Sequence, residues 1–174
     1  KNGHVHHYEV LTRLEEDSGF ANPFEFITFG EQTDLICQFD LVVLYKSLET
    51  LERAAENKHY PMIAVNLSGR SLSSDLYKDM VIAVLEQNRK VRKQIIFEVT
   101  ESAKIDDLEK ANVFLQMLRE MGNLCCLDDF GVAESSFEYL RKLKVDFVKI
   151  DGSYVRDSVG DATGRQMLKA LAGL

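Results

Sequence analysis

Acidic and amide side chains recur at the ends of short apolar segments in this chain of 174 residues. The pattern combines three or four carboxylates, one carboxamide and one ammonium group: Glu9, Asn66, Glu98, Asp128, Asp129 and Lys149. The positions 66, 98 and 128 are each about 30 residues apart, the length of one strand–helix–strand unit. Closely packed carboxylates repel each other, and a hard divalent cation would relieve that repulsion. Because the donors are oxygens, with no converging Cys or His, the pattern favours Mg²⁺ or Mn²⁺ over Zn²⁺.

The apolar pattern predicts the elements that would bring these side chains together. Runs with strand character cover 6–14, 62–67, 95–99, 124–127 and 146–150, and helical spacing covers 38–56, 74–88, 106–121, 136–143 and 165–174. Residues 17–24 predict a loop. Alternating strands and helices without a linker indicate one α/β domain over 1–174 with a parallel sheet, either doubly wound or a (β/α) barrel. The carboxyl ends of parallel strands share one rim, which carries the active sites of barrel enzymes.

The composition excludes several other classes of protein. A hydrophobic content of 45% with a net charge of −7 is that of a globular domain, and the acid excess argues against binding of DNA or RNA duplexes. Neither a membrane span nor a signal peptide is recognised, which predicts a cytoplasmic domain, although the parent protein could still be anchored in a membrane. The chain begins with Lys1, so we expect it to lie inside a longer protein. Cys37, Cys125 and Cys126 predict reduced core thiols rather than a redox pair, because neighbouring strand residues point to opposite faces.

Other polar residues have simpler interpretations. An acid after a strand is often a turn or capping residue, and Asp161 and the pair Asp106 and Asp107 are interpreted in this way. Asp106 with Glu109 predicts the start of helix 106–121, and Gly122 its end. His4 and His6 would share one strand face and His7 the other. These histidines are a competing metal site, but we expect them to be exposed strand surface.

Six sequence motifs occur in the order and spacing of a known family. They are YEVLTR (8–13), PFEFITFGE (23–31), VNLSGRSL (65–72), FEVTES (97–102), LDDFG (127–131) and VDFVKIDGSYV (145–155). On these motifs the chain resembles the EAL domain, the bacterial cyclic di-GMP phosphodiesterase domain. The resemblance implies a modified TIM (β/α)8 barrel. It also implies hydrolysis of one phosphodiester bond of cyclic di-GMP, which gives linear pGpG.

The resemblance also implies residue roles. Four positions match metal ligands of the family, namely Glu9, Asn66, Glu98 and Asp128. Asp129 matches the acid that reaches a second Mg²⁺ or Mn²⁺ ion, and Lys149 the lysine beside the nucleophilic water. Arg13 matches the arginine that binds the substrate phosphate, and Glu101 the glutamate that supports the loop after strand 124–127. The family further implies a homodimer and fusion to sensory or GGDEF-type domains.

Departures from the family pattern keep a second hypothesis open. Val10 replaces alanine of the name motif, Leu14 replaces tryptophan, and residues 132–137 replace a glycine-containing loop. The alternative is therefore an inactive relative that binds cyclic di-GMP or a protein partner. A third hypothesis, against which the ordered motifs argue, is an unrelated metal-dependent barrel enzyme with similar oxygen ligands. A complete barrel needs about 250 residues. We therefore expect the first strand of the barrel to precede Lys1 and its last two βα units to follow Leu174.

Overall fold

Five parallel strands form the centre of the protein in a computed structural model that describes residues 5–100, 103, 105–131, 136–154, 156 and 162–171. The strands lie side by side in chain order and are β1 (Tyr8–Glu9), β2 (Ile63–Leu67), β3 (Ile95–Thr100), β4 (Leu124–Phe130) and β5 (Phe147–Ile150). Every neighbouring pair is parallel. The sheet is thus a half-barrel, which confirms the predicted TIM-barrel-like class.

Helices connect the strands, as parallel pairing requires. They are α1 (Pro23–Gln32), α2 (Ile36–Glu56), α3 (Gly69–Ser73), α4 (Asp75–Gln87), α5 (Leu108–Glu120), α6 (Ser136–Lys142) and α7 (Ala162–Leu171), with a 3₁₀ turn at Arg92–Gln94. The predicted helices correspond to α2, α4, α5, α6 and α7. Within the described ranges, no helix combines the length and the apolar character that crossing a membrane demands.

Two predictions about the amino-terminal region were wrong. The strand predicted over 6–14 is only Tyr8–Glu9, whose residues pair with Ile63 and Ala64 of β2. Backbone bonds from Tyr8 N to Met62 O and from Val10 N to Ala64 O flank this short ladder. The loop predicted over 17–24 ends earlier, since α1 begins at Pro23. Asn22 caps this helix by accepting a bond from Glu25 N. Proline at the first helical position after an Asn cap is a start signal that the sequence contained.

Two other boundaries shifted. The cap of α5 is Asp107 rather than Asp106, and its carboxylate accepts bonds from the backbone N–H groups of Glu109 and Lys110. Gly122 follows α5 with a φ of +93°, in agreement with the predicted stop. β4 is longer than predicted and includes Asp128 and Asp129.

The sheet buries side chains on both faces. A large cluster beneath the helices contains Val65, Phe97 and Cys125, and a smaller one on the inner face of the half-barrel contains Ala64, Ile96 and Cys126. The two neighbouring cysteines therefore point to opposite faces, as predicted. Burial raises the pKa of both thiols to about 12, so thiolate is scarce at neutral pH and neither is reactive.

Asp40 links α2 to the segment after β2. Its carboxylate is buried and accepts hydrogen bonds from Ser68 N at 3.0 Å and Ser71 Oγ at 2.7 Å. Burial raises the pKa of Asp40, although both serines act in the opposite direction. The charged form is therefore more costly in the folded protein than in the unfolded chain.

We expect the pH dependence of stability to change when Asp40 becomes Asn. Because the folded pKa is raised, the contribution of Asp40 to stability is fully present below the ordinary value of 3.8 and is lost as pH rises through the folded pKa. Asp40→Asn keeps an acceptor oxygen and has no such loss. Urea unfolding of the parent and of Asp40→Asn, from below pH 3.8 up to neutral pH, measures how the free energy of unfolding of each depends on pH. Asp79→Asn, at an exposed aspartate, is the control. A constant difference between variant and parent would contradict the prediction.

Candidate functional site

The strands bring the predicted side chains to one rim. Asn66 lies opposite Glu98 in the register of β2 and β3, and Glu98 lies opposite Cys126 in that of β3 and β4. Because strand side chains alternate, Asn66, Glu98 and Asp128 share the inner face with Ala64, Ile96 and Cys126. They occupy the carboxyl-terminal halves of their strands. This rim therefore collects side chains from β1 to β5, as the sequence predicted.

Three carboxylates are close enough to share a cation. Glu9, Glu98 and Asp128 each offer an oxygen, and these oxygens all lie within 4.8 Å of one another. The Glu98 side chain is fully buried, whereas those of Asp128 and Glu9 are 15% and 33% exposed. Burial raises the pKa of Glu98, with the charges of Asp128 and Glu9 adding to the effect. This donor set suits a hard divalent cation.

Lys149 reaches into this group from β5. Its Nζ lies 2.7 Å from the Glu98 carboxylate, 3.2 Å from Asp128 Oδ2 and 3.7 Å from Glu9 Oε2. Burial lowers the pKa of Lys149, but hydrogen bonds and charge from Glu98 and Asp128 outweigh burial and hold it above its ordinary value. Lys149 is consequently an ammonium group that offsets the carboxylates. Of the two roles that the sequence left open, activating water or neutralising charge, these contacts support the neutralisation of charge.

Asn66 and Asp129 border the three carboxylates. Asn66 Nδ2 donates to Glu9 Oε1 at 3.3 Å, so its amide orients the exposed acid. Asp129 lies outside the 4.8 Å group and has a φ of +55°, beside a register shift between Leu127 and Phe130. Burial raises the pKa of Asp129, and the neighbouring Asp128 and Asp151 raise it further. Asp129 thus stands next to the group without joining it.

The other two predicted residues are less closely placed. Arg13 is exposed beyond the end of β1, and its guanidinium donates to Thr12 O at 2.9 Å. Its side chain is therefore accessible to solvent. Glu101 lies outside the described residues, as do residues 132–135 of the loop that departs from the family pattern.

One residue at the site was missed. The His7 side chain is only 18% exposed, and its Nε2 lies 3.7 Å from Glu98 Oε1. The expectation that the histidines are exposed strand surface is confirmed for His6 only in its exposure, because β1 begins at Tyr8, and is wrong for the half-buried His7. His4 is outside the described residues. Burial and the charge of Lys149 lower the pKa of His7. The signal was the two-residue spacing of His7 and Glu9, which places both side chains on one strand face.

Comparison with known proteins finds relatives that match nearly the whole chain. The family model described as "EAL domain" matches residues 1–174. The chain is 33% identical over 165 residues to the cyclic di-GMP phosphodiesterase PdeB of Shewanella oneidensis, covering 94% of this chain and 19% of PdeB. It is 30% identical over 175 residues to MucR of Pseudomonas aeruginosa, named a bifunctional diguanylate cyclase/cyclic di-GMP phosphodiesterase, covering 99% of this chain and 26% of MucR. The chain thus spans about a quarter or less of these relatives.

Solved structures share the fold. The PaMucR phosphodiesterase in complex with c-di-GMP superposes with a TM-score of 0.81 at 30% identity, covering 97% of this chain and 69% of that chain. The EAL domain of FimX from Pseudomonas aeruginosa, also bound to c-di-GMP, gives a TM-score of 0.82 at 28% identity, covering 99% of this chain and 69% of that chain.

Proposed function

This chain belongs to the EAL domain family, and from that membership we propose that it hydrolyses one phosphodiester bond of cyclic di-GMP to give pGpG, using Mg²⁺ or Mn²⁺ at a two-metal site. The observation that carries the proposal is the approach of Glu9, Glu98 and Asp128 to within 4.8 Å. A phosphodiester brings further negative charge to an already acidic rim. Bound cations would offset this charge and favour binding of the phosphodiester at the rim.

Each residue has a defined task in the proposed reaction. Glu9, Asn66, Glu98 and Asp128 hold the cations, and Asp129 reaches the second of them. When bound, such cations would supply Lewis-acid stabilisation of the developing negative charge and would lower the pKa of water. Lys149, as an ammonium group, orients the attacking water and offsets charge. Arg13 binds a substrate phosphate as a planar bidentate donor, and Glu101 supports the loop after β4.

The direct test is hydrolysis of cyclic di-GMP by the full-length protein that contains this chain. We expect pGpG to form with Mg²⁺ or Mn²⁺ and not after treatment with a chelator. No turnover by the folded protein with both metals supplied would contradict the proposal. The departure of residues 132–137 from the family pattern favours one alternative, a domain that binds cyclic di-GMP without cleaving it. Binding without turnover, unchanged in Glu98→Gln, would select that alternative.

The proposal also covers the fused domains, the oligomeric state and the cellular compartment of this domain. Both relatives described above are several times longer than this chain, which supports fusion to sensory or GGDEF-type domains. We also propose that the domain forms a homodimer. Three free cysteines, two of them buried, are compatible with the reducing cytoplasm.

Replacing Arg13 with Ala should weaken binding of cyclic di-GMP without affecting metal affinity. A charge-assisted hydrogen bond contributes about 1.5–3 kcal/mol, which corresponds to about 10- to 100-fold in affinity. Calorimetric titration with cyclic di-GMP and, separately, with Mn²⁺ measures both quantities, and exposed Arg53→Ala serves as control. An equal loss of Mn²⁺ affinity would show that Arg13 acts on the metal site instead.

A further inference from the structure

His7 contacts the most buried carboxylate of the site from the inner face of the half-barrel. Its ring centroid lies 6.3 Å from that of Phe147, which packs against the inner cluster around Ile96 and Cys126. His7 Nε2 is 3.7 Å from Glu98 Oε1, a distance longer than a hydrogen bond but short enough for the carboxylate charge to act on the ring. His7 is not in the group of oxygens within 4.8 Å. His7 is therefore a neighbour of the proposed ligand Glu98 and not itself one of the proposed ligands.

Glu98 Oε1 has capacity for a further hydrogen-bond donor. It is buried and forms an ion pair with Lys149 Nζ at 2.7 Å, but it accepts no hydrogen bond from the described residues. The hydrogen bond of Lys149 goes to the other oxygen, Oε2, at 2.7 Å. A donor directed at Oε1 would therefore add to the stabilisation of this buried carboxylate. The ring nitrogen of His7 is the nearby group that can approach it from the opposite side of the rim.

The contact between His6 and His7 limits where the hydrogens of the His7 ring can lie. Their Nδ1 atoms are 2.8 Å apart, so one of them donates and the other accepts. If His7 Nδ1 accepts, its hydrogen is on Nε2 and points to Glu98. If His7 is doubly protonated, Nε2 carries hydrogen as well. In the third state, only Nδ1 of His7 carries hydrogen. The lone pair of Nε2 then faces the carboxylate oxygen of Glu98, and this state is disfavoured because the two electron-rich atoms repel each other.

We propose that His7 is a positioning residue of the metal site: its Nε2–H faces Glu98 Oε1, and His6 holds the ring by donating to its Nδ1. This inference rests on the proposed function. Residues that orient metal-ligating carboxylates without touching the ion affect metal affinity by about 10- to 100-fold when replaced. The His6–His7 pair thus restricts the orientation in which Glu98 meets Glu9 and Asp128.

The first experiment measures Mn²⁺ affinity of the full-length protein by calorimetry. His7→Leu removes the donor and should weaken Mn²⁺ binding by about 10- to 100-fold. His7→Gln places an amide N–H near the position of Nε2 and should restore affinity to within about threefold of the parent, an outcome that a purely space-filling role would not produce. His59→Leu, on an exposed loop histidine, is the control. Unchanged affinity in His7→Leu, or equal losses in the Leu and Gln variants, would overturn the inference.

A second measurement separates this inference from the proposed function. Selective ¹⁵N-histidine labelling of the metal-free protein should show His7 with hydrogen on Nε2, and Glu98→Gln should change its ¹⁵N shifts. Hydrogen on Nδ1 alone would overturn the positioning role, as would loss of the Nε2 hydrogen on adding diamagnetic Mg²⁺, which would make His7 a direct ligand. If the parent protein binds no Mn²⁺, the proposed function fails, and the NMR result still tests the His7 contact.

Discussion

Glu98→Gln is expected to abolish divalent-metal binding and turnover of cyclic di-GMP while leaving the fold intact. Glu98 is the fully buried member of the three carboxylates, so no solvent-exposed group can replace it. Lewis-acid stabilisation by bound metal is worth several kcal/mol, and its loss corresponds to about 10³-fold or more in rate. Gln has nearly the same volume and removes a charge whose burial is unfavourable. Folding stability should therefore be retained. Asp128→Asn should behave in the same way.

The measurements for Glu98→Gln are Mn²⁺ titration, pGpG formation and thermal unfolding of the same samples. Glu49→Gln is the matched control, because it makes the same chemical change on the exposed surface of α2. If Glu98→Gln unfolds the protein, the acid is structural and its proposed role as a ligand loses its support. Full turnover in a folded Glu98→Gln protein would instead place the chemistry elsewhere.

Lys149→Met is expected to destabilise the metal-free protein and to lower turnover by about 100-fold or more. The Lys149 ammonium lies within 3.7 Å of an oxygen of each of the three carboxylates, Glu9, Glu98 and Asp128. Removing one partner of a buried ion pair costs about 3–5 kcal/mol. Lys149 is 25% exposed, so solvent screening reduces the expected loss to about 2 kcal/mol. Saturating Mn²⁺ should restore most of this stability, because it binds the folded state and supplies the missing positive charge.

Urea unfolding of Lys149→Met with and without Mn²⁺ tests this explanation. Lys46→Met, an exposed lysine on α2, controls for the loss of a surface charge. A stability loss that Mn²⁺ does not reduce would show that Lys149 acts by packing rather than by balancing charge. Stability equal to that of the parent in the absence of metal would show that the carboxylates need no counter-charge.

The residues of the rim could be predicted because their positions follow from local patterns. Buried strands read as short apolar runs, and a polar residue near the end of each run must lie near the common edge of a parallel sheet. Asn66, Glu98, Asp128 and Lys149 could therefore be predicted from the sequence alone. The start of α1 was also predictable, since the Asn22–Pro23 cap signal is contained in neighbouring residues. It was missed by reading those residues as a loop.

Local sequence patterns could not predict the contacts between segments that are distant along the chain. The length of β1 depends on how far its backbone runs beside β2, and only Tyr8 and Glu9 pair with it. The raised pKa of Lys149 depends on carboxylates from two other strands, Glu98 of β3 and Asp128 of β4. Whether His7 meets Glu98 depends on the curvature of the half-barrel, which no spacing along the chain encodes. Periodicity assigns a side chain to a face because it is a local property of the backbone. The distance between atoms of two separate strands arises only when the whole sheet has assembled.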